Sequence, residues 1–147
     1  MSGIIVGADG SRHSQRALEW AMREAAAHHV PLTVVSVYRS YQQDVGFWGD
    51  RDRDLAGAEH ARTLAQEQTD KALSQLGDLQ PPSLNVKAVH GLPAEELMKA
   101  AEGADMLVVG ARGAGGFARL HLGSVSTQLT HHAHCPVVVI PPDDLHR

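Results

Sequence analysis

The sequence is poor in aromatic residues: two Phe, two Trp and two Tyr occur in 147 positions. A core must therefore be built from Ala, Val, Leu and Ile. A single cysteine excludes an internal disulfide and suits a reducing compartment. No apolar run approaches the roughly 20 residues that span a bilayer. The opening MSGIIVGADGS has no basic segment ahead of a signal-like apolar stretch. These absences point to a cytoplasmic protein without a membrane partner. The formal net charge of −4 excludes a general electrostatic grip on nucleic acid, which needs clustered Lys and Arg. Ten histidines allow the charge to change considerably between pH 7 and pH 6.

What is present is ordinary for a globular chain, with 43% apolar and 20% charged residues. The length fits one domain over residues 1–147. Five short apolar runs stand out: Gly3–Ala8, Leu32–Tyr38, Leu84–His90, Asp105–Gly110 and Pro136–Ile140. Most are rich in β-branched residues and several are continuous, the pattern of strands buried on both faces of a parallel sheet. Helical spacing fills the gaps over Ser14–His28, Arg53–Leu76, Ala94–Glu102 and Ser124–Ala133. Alternating strands and helices with short links predict a doubly wound α/β domain with helices on both faces of the sheet. One longer stretch, Arg39–Asp52, carries Tyr41, Phe47 and Trp48. It reads either as a lid or interaction segment or as a cap on the sheet edge.

Ligands of open α/β sheets bind beyond the carboxyl ends of the strands, where strand order reverses. Two such ends are chemically equipped. The first strand runs into Ala8-Asp9-Gly10-Ser11, and the fourth into VVGARGAGGFARLHLGSVS, residues 108 to 126. Gly110 has no Cβ to keep a ligand off the backbone. Gly113, Gly115 and Gly116 permit turns that expose amide N–H groups. Gly123-Ser124 opens the last helix, whose free N–H groups and dipole favour an anion. Ser124 and Ser126 add hydroxyls; Arg112 and Arg119 add charge. The set describes a phosphate cradle. It is no P-loop, because GxxxxGK[ST] is absent and the loop has no lysine. Gly113, Gly115 and Ala118 nearly match a dinucleotide fingerprint, but follow the wrong strand and precede the helix by too far.

Gly110, two residues, Gly113, nine residues, then Gly123-Ser124 resembles the G-x2-G-x9-G-[ST] pattern of the universal stress protein family, in its ATP-binding branch. The likeness extends to IIVGADGS, ALEWAMREA and SVSTQLTHHAHCPVVVIP, nearly the whole chain. It implies a Rossmann-like, five-stranded parallel sheet of order 3-2-1-4-5 and a site for ATP, with Mg²⁺. By position, Ala8 and Asp9 lie beside adenine and ribose, Val37 against the adenine, and Val109 and Gly110 near the ribose. Arg112, Gly113, Gly123, Ser124, Val125 and Ser126 surround the phosphates. The resemblance also implies a homodimer through the last strand, residues 136–140, and a role in stress or signalling with a partner that the sequence does not name.

Efficient ATP hydrolysis needs a positioned base and metal ligands near the γ-phosphate. Residues 111–126 contain no carboxylate, and His121 is the only candidate base. A phospho-acceptor reading of Asp9 fails too, since the matching strand ends read His90-Gly91 and Ile140-Pro141. The sequence therefore favours a nucleotide-responsive binding module. A slow ATPase, a protein preferring cyclic AMP and a ligand-free interaction protein remain the alternatives. His131-His132-Ala133-His134-Cys135 offers zinc-type donors, but imidazoles at a helix C-terminus suit its dipole, and Cys135 reads as a small apolar group. No metal site is expected.

Overall fold

The computed structural model describes residues 3–39, 50–112 and 123–141, with the backbone alone for 50–56. The aromatics Tyr41, Phe47 and Trp48 lie outside the described residues. Among the described residues, five strands and four helices alternate: β1 (Ile4–Gly7), α1 (Arg12–His28), β2 (Leu32–Tyr38), α2 (Asp50–Ser74), β3 (Leu84–His90), α3 (Pro93–Ala100), β4 (Met106–Gly110), α4 (Ser124–His132) and β5 (Val137–Ile140). The strands form one sheet in the order β3-β2-β1-β4-β5. All neighbours pair parallel, with Val6 level with Val34 on one side and Val108 on the other. Both the doubly wound class and the strand order agree with expectation.

The continuous apolar runs have a direct explanation. Ile4, Val6, Leu32, Val34 and Val108 pack beneath α1 and α2 with Leu18, Met22 and Ala65. Their neighbours Ile5, Val35, Leu107 and Val109 face the opposite layer with Leu97 of α3 and Leu129 of α4. Successive strand side chains point to opposite faces, so a strand between two helical layers must be apolar at every position. At the sheet edge, β3 meets this demand only in part: Leu84, Val86 and Ala88 are half-buried, while Asn85 and Lys87 are exposed. An exposed lysine also discourages pairing at a free edge.

Helix boundaries differ from the sequence estimate for reasons of capping. α1 begins at Arg12, two residues early, because the Ser11 hydroxyl accepts the Ser14 N–H at 3.1 Å. It ends where His29 takes a left-handed conformation, φ 57°. There the His29 N–H donates to Ala26 and the Val30 N–H to Ala25, the reciprocal pair that usually employs glycine. α3 starts at Pro93, with Glu95 and Glu96 in its first turn where the dipole favours them. α2 starts at Asp50 rather than Arg53, and stops at Ser74.

The central layer sets the stability of everything else. Leu107 is fully buried, so Leu107→Ala removes side-chain contacts and leaves a cavity, a loss of about 2–5 kcal/mol. Leu79, 52% exposed, is the control: Leu79→Ser changes stability by less than about 0.5 kcal/mol. Equilibrium denaturant unfolding of the two variants checks the contrast.

Candidate functional site

Order reverses between β1 and β4. From β1 the chain moves outward to β2 and β3, then returns to β4 beside β1. The carboxyl ends of β1, β2 and β4 open at this switch point, the position where α/β sheets hold ligands. Ala8 and Asp9 follow β1, Val37 lies near the end of β2, and Val109 and Gly110 end β4. The backbone continues the sheet a step further: the Ala8 N–H donates to Val35 at 2.9 Å and the Ala111 N–H to Ile140 at 2.9 Å.

The last helix is brought to the same point by one carbonyl. Ala111 O accepts the Gly123 N–H at 2.6 Å and the Ser126 hydroxyl at 2.9 Å. The two ends of the glycine-spaced segment are therefore pinned together, and α4 begins directly over the end of β4. Its N-cap Gly123 supplies no side-chain hydrogen bond, and its first turn contains no acidic residue. The first N–H groups of a helix have no partner within it, and among the described residues no capping side chain serves those of α4. Ser124 is exposed at this mouth, Val125 is half-buried among the α3–α4 apolar side chains, and Ser126 is buried. The Ser126 hydroxyl is used inwardly, toward the Ala111 and Gly123 carbonyls. Arg112 is only 6% exposed and already engaged within the fold. Gly113, with Gly115, Gly116, Arg119 and His121, lies outside the described residues.

The β1 end is organised by residues that local sequence patterns leave unmarked. The Asp9 carboxylate accepts the N–H of Ser11 at 3.0 Å and its hydroxyl at 2.5 Å. The Asp9 N–H donates to the buried Ser14 hydroxyl at 3.1 Å. Gln68, from α2, accepts the Gly10 N–H at 3.1 Å and donates to the Ser11 carbonyl at 2.9 Å. Ser14 and Gln68 are thus part of the turn that displays the exposed Asp9. The close spacing of Ser11 and Ser14 is a local hint of capping. Gln68, more than fifty positions away, has none.

This geometry is accompanied by likeness to known proteins. The family model described as "Universal stress protein family" matches residues 1–141. The chain belongs to the universal stress protein family. A universal stress protein of Mycolicibacterium smegmatis (strain ATCC 700084 / mc(2)155) is 36% identical over 143 residues, 97% of this chain and 49% of the relative. The chain thus spans about half the length of the relatives it matches. Among solved structures, the universal stress protein UspA from Lactobacillus plantarum superposes with a TM-score of 0.76 at 23% identity, over 95% of this chain and 97% of that one. A universal stress protein in complex with cAMP gives 0.67 at 25% identity, over 95% of each chain.

The histidine run behind α4 has a separate character. His131 and His132 are exposed, with rings 6.2 Å apart and nearly perpendicular. Among the described residues, no group of three or more His, Cys, Asp or Glu is placed to hold a metal. Cys135 packs with Val137 and Val139 against the α3–α4 layer, and burial pushes its thiol pKa up. The thiolate is the reactive form. At pH 8, iodoacetamide therefore modifies Cys135 more slowly than a cysteine in an unfolded peptide, and the rate–pH profile has its midpoint above the ordinary cysteine value.

Gly110 holds the site together by what it lacks. A Cβ there would lie 3.0 Å from the His13 carbonyl oxygen and 3.2 Å from its carbon. These are backbone atoms of the first turn of α1, which cannot swing aside as a side chain can. Gly110→Ala is expected to cost about 1–3 kcal/mol. In amide ¹H–¹⁵N spectra it should shift the resonances of residues 11–14 more than those of β2.

Proposed function

We propose that this chain is an adenine-nucleotide-binding stress or signalling module that takes ATP, with Mg²⁺ carried on the phosphates. The observation that carries this reading is the N-terminus of α4, which has no capping side chain among the described residues and is held over the β4 end by the Ala111 carbonyl. Helix N–H groups without a capping acid or hydroxyl form a favourable environment for phosphate oxygens. The half-buried Val37 and buried Ala8 and Val109 provide an apolar bed for the base and sugar. Asp9 stands exposed beside them to accept hydroxyl hydrogens of a ribose. The phosphates meet Gly123, Ser124, Val125 and Gly113, with Arg112 and Ser126 supporting the cradle from within. Mg²⁺ commonly keeps several waters and binds through substrate phosphates, so the scarcity of carboxylates around α4 fits a metal that arrives with ATP.

The same reading places a homodimer contact on β5. This strand closes one edge of the sheet, and Val137, Val138 and Val139 are half-buried in one protomer. We read residues 1–147 as one nucleotide-binding domain acting in the cytoplasm through a signalling partner. Cyclic AMP is the second reading of the ligand, supported by the similar protein solved in complex with cAMP.

Ligand at about 1,000 times its dissociation constant adds roughly 4 kcal/mol to stability, a melting shift on the order of 10 °C at this size. Differential scanning fluorimetry with ATP–Mg²⁺, AMP and cyclic AMP in parallel ranks the ligands; no shift with any of them removes the reading. Ser124→Asp sharpens the test because it moves two quantities in opposite directions. A carboxylate at the first turn of α4 raises the melting temperature of the empty protein, by an interaction of about 0.3–1 kcal/mol. It also repels phosphate, so affinity for ATP falls about tenfold or more.

A further inference from the structure

The β1–α1 turn and α2 lie far apart in sequence, yet one side chain joins them. Gln68 is 9% exposed. Its Nε2 donates to the Ser11 carbonyl at 2.9 Å. Its Oε1 accepts the Gly10 N–H and the Ser14 hydroxyl, each at 3.1 Å. A backbone N–H can only donate, so Gly10 dictates which end of the amide is oxygen. α1 returns the contact, since Gln15 Nε2 donates to the backbone carbonyl of Gln68 at 3.1 Å. Gly10 itself sits at φ 86°, a conformation with little local preference for most residues.

Burying an amide is unfavourable unless its hydrogen bonds are made. Gln68 directs its polar atoms at Gly10, Ser11 and Ser14, around the N-cap of α1. Ser11 and Ser14 then hold Asp9 by its carboxylate and its N–H, so Gln68 acts on Asp9 without touching it.

We propose that Gln68 is a positioning residue of the nucleotide site. By holding Gly10, Ser11 and Ser14, it keeps the β1–α1 turn in the conformation that presents Asp9 to the ligand, and so makes α2 a determinant of affinity. This inference rests on the nucleotide reading above. When only a fraction of molecules is competent to bind, apparent affinity falls by that fraction. Without its staple the exposed turn samples other conformations.

The test compares Gln68→Met with Ala72→Gly. The first keeps the size of the side chain and removes the three hydrogen bonds. The second weakens the same helix through its propensity at a buried position away from the turn. Isothermal titration with ATP–Mg²⁺ and with cyclic AMP gives affinity, thermal melts without ligand give stability, and ¹H–¹⁵N spectra follow the Gly10 and Ser11 amides. Gln68→Met should bind about five- to tenfold more weakly, with both amides displaced, while Ala72→Gly keeps wild-type affinity despite its lower melting temperature. If Gln68→Met does not fold, Gln68→Glu carries the same expectation, since it retains the acceptor and loses the donor to Ser11. Affinity of the folded Gln68 variant within twofold of wild type overturns the proposal. So does an equal loss of affinity in Ala72→Gly. Wild-type protein that binds neither nucleotide overturns the nucleotide reading and this inference with it, a failure visible before any variant is made.

Discussion

The arrangement depends on a single acceptor. The carbonyl of Ala111 takes the Gly123 N–H at 2.6 Å and the Ser126 hydroxyl at 2.9 Å. Ala111 has itself just left β4, held by its own N–H to Ile140. The start of α4 is thereby referenced to the sheet. Hydrogen bonds between buried groups add only modestly to stability, but leaving such a group unpaired is costly. Any displacement of α4 would deprive the buried Ala111 carbonyl of both the Gly123 N–H and the Ser126 hydroxyl. Specific position, more than strength, is what this contact provides.

The constraint extends to α1 through a glycine. The His13 carbonyl lies close enough to Gly110 that a Cβ would crowd it at 3.0 Å. The starts of α1 and α4, which belong to opposite layers, therefore both abut the end of β4. Two helix N-termini and two strand ends meet in one region, and the missing Cβ of Gly110 lets the first turn of α1 approach β4 this closely.

Much of this was legible in the sequence. Apolar continuity in IIVG, LTVVSVY and MLVVG reports burial on both faces, and the α1 pattern of Ala17, Leu18, Ala21, Met22 and Ala25 matches its buried face. The strand order came from family resemblance, because periodicity contains no information about which strands are neighbours. The spacing of Gly110, Gly123 and Ser124 marks a strand end and a helix start, both local features, which the structure brings together through Ala111. What local patterns could not show was non-local or atypical. Gln68 reads as a polar helix residue until the turn it binds is placed beside it. His29 adopts a left-handed cap that composition would assign to glycine. Nor does sequence show that Ser126 and Arg112 are buried, with the Ser126 hydroxyl on the Ala111 and Gly123 carbonyls and Arg112 already engaged.

The two halves of the site are supported by different forces, which bears on how a ligand would act. The α4 mouth is underlain by apolar packing, with Leu129 and Val125 against Leu97 and Val109. The β1–α1 turn is held by a polar network reaching α2, through Ser11, Ser14 and Gln68. Close-packed apolar layers resist displacement. A turn fixed by a few directed hydrogen bonds has discrete alternatives, because each bond is either made or lost. A ligand spanning Asp9 and α4 would bridge the firm half and the adjustable half, and its binding energy would fall on the β1–α1 turn and the helix attached to it. Changes that follow ligand binding are therefore expected along α2 in preference to α3, on the face of the sheet where the polar network lies.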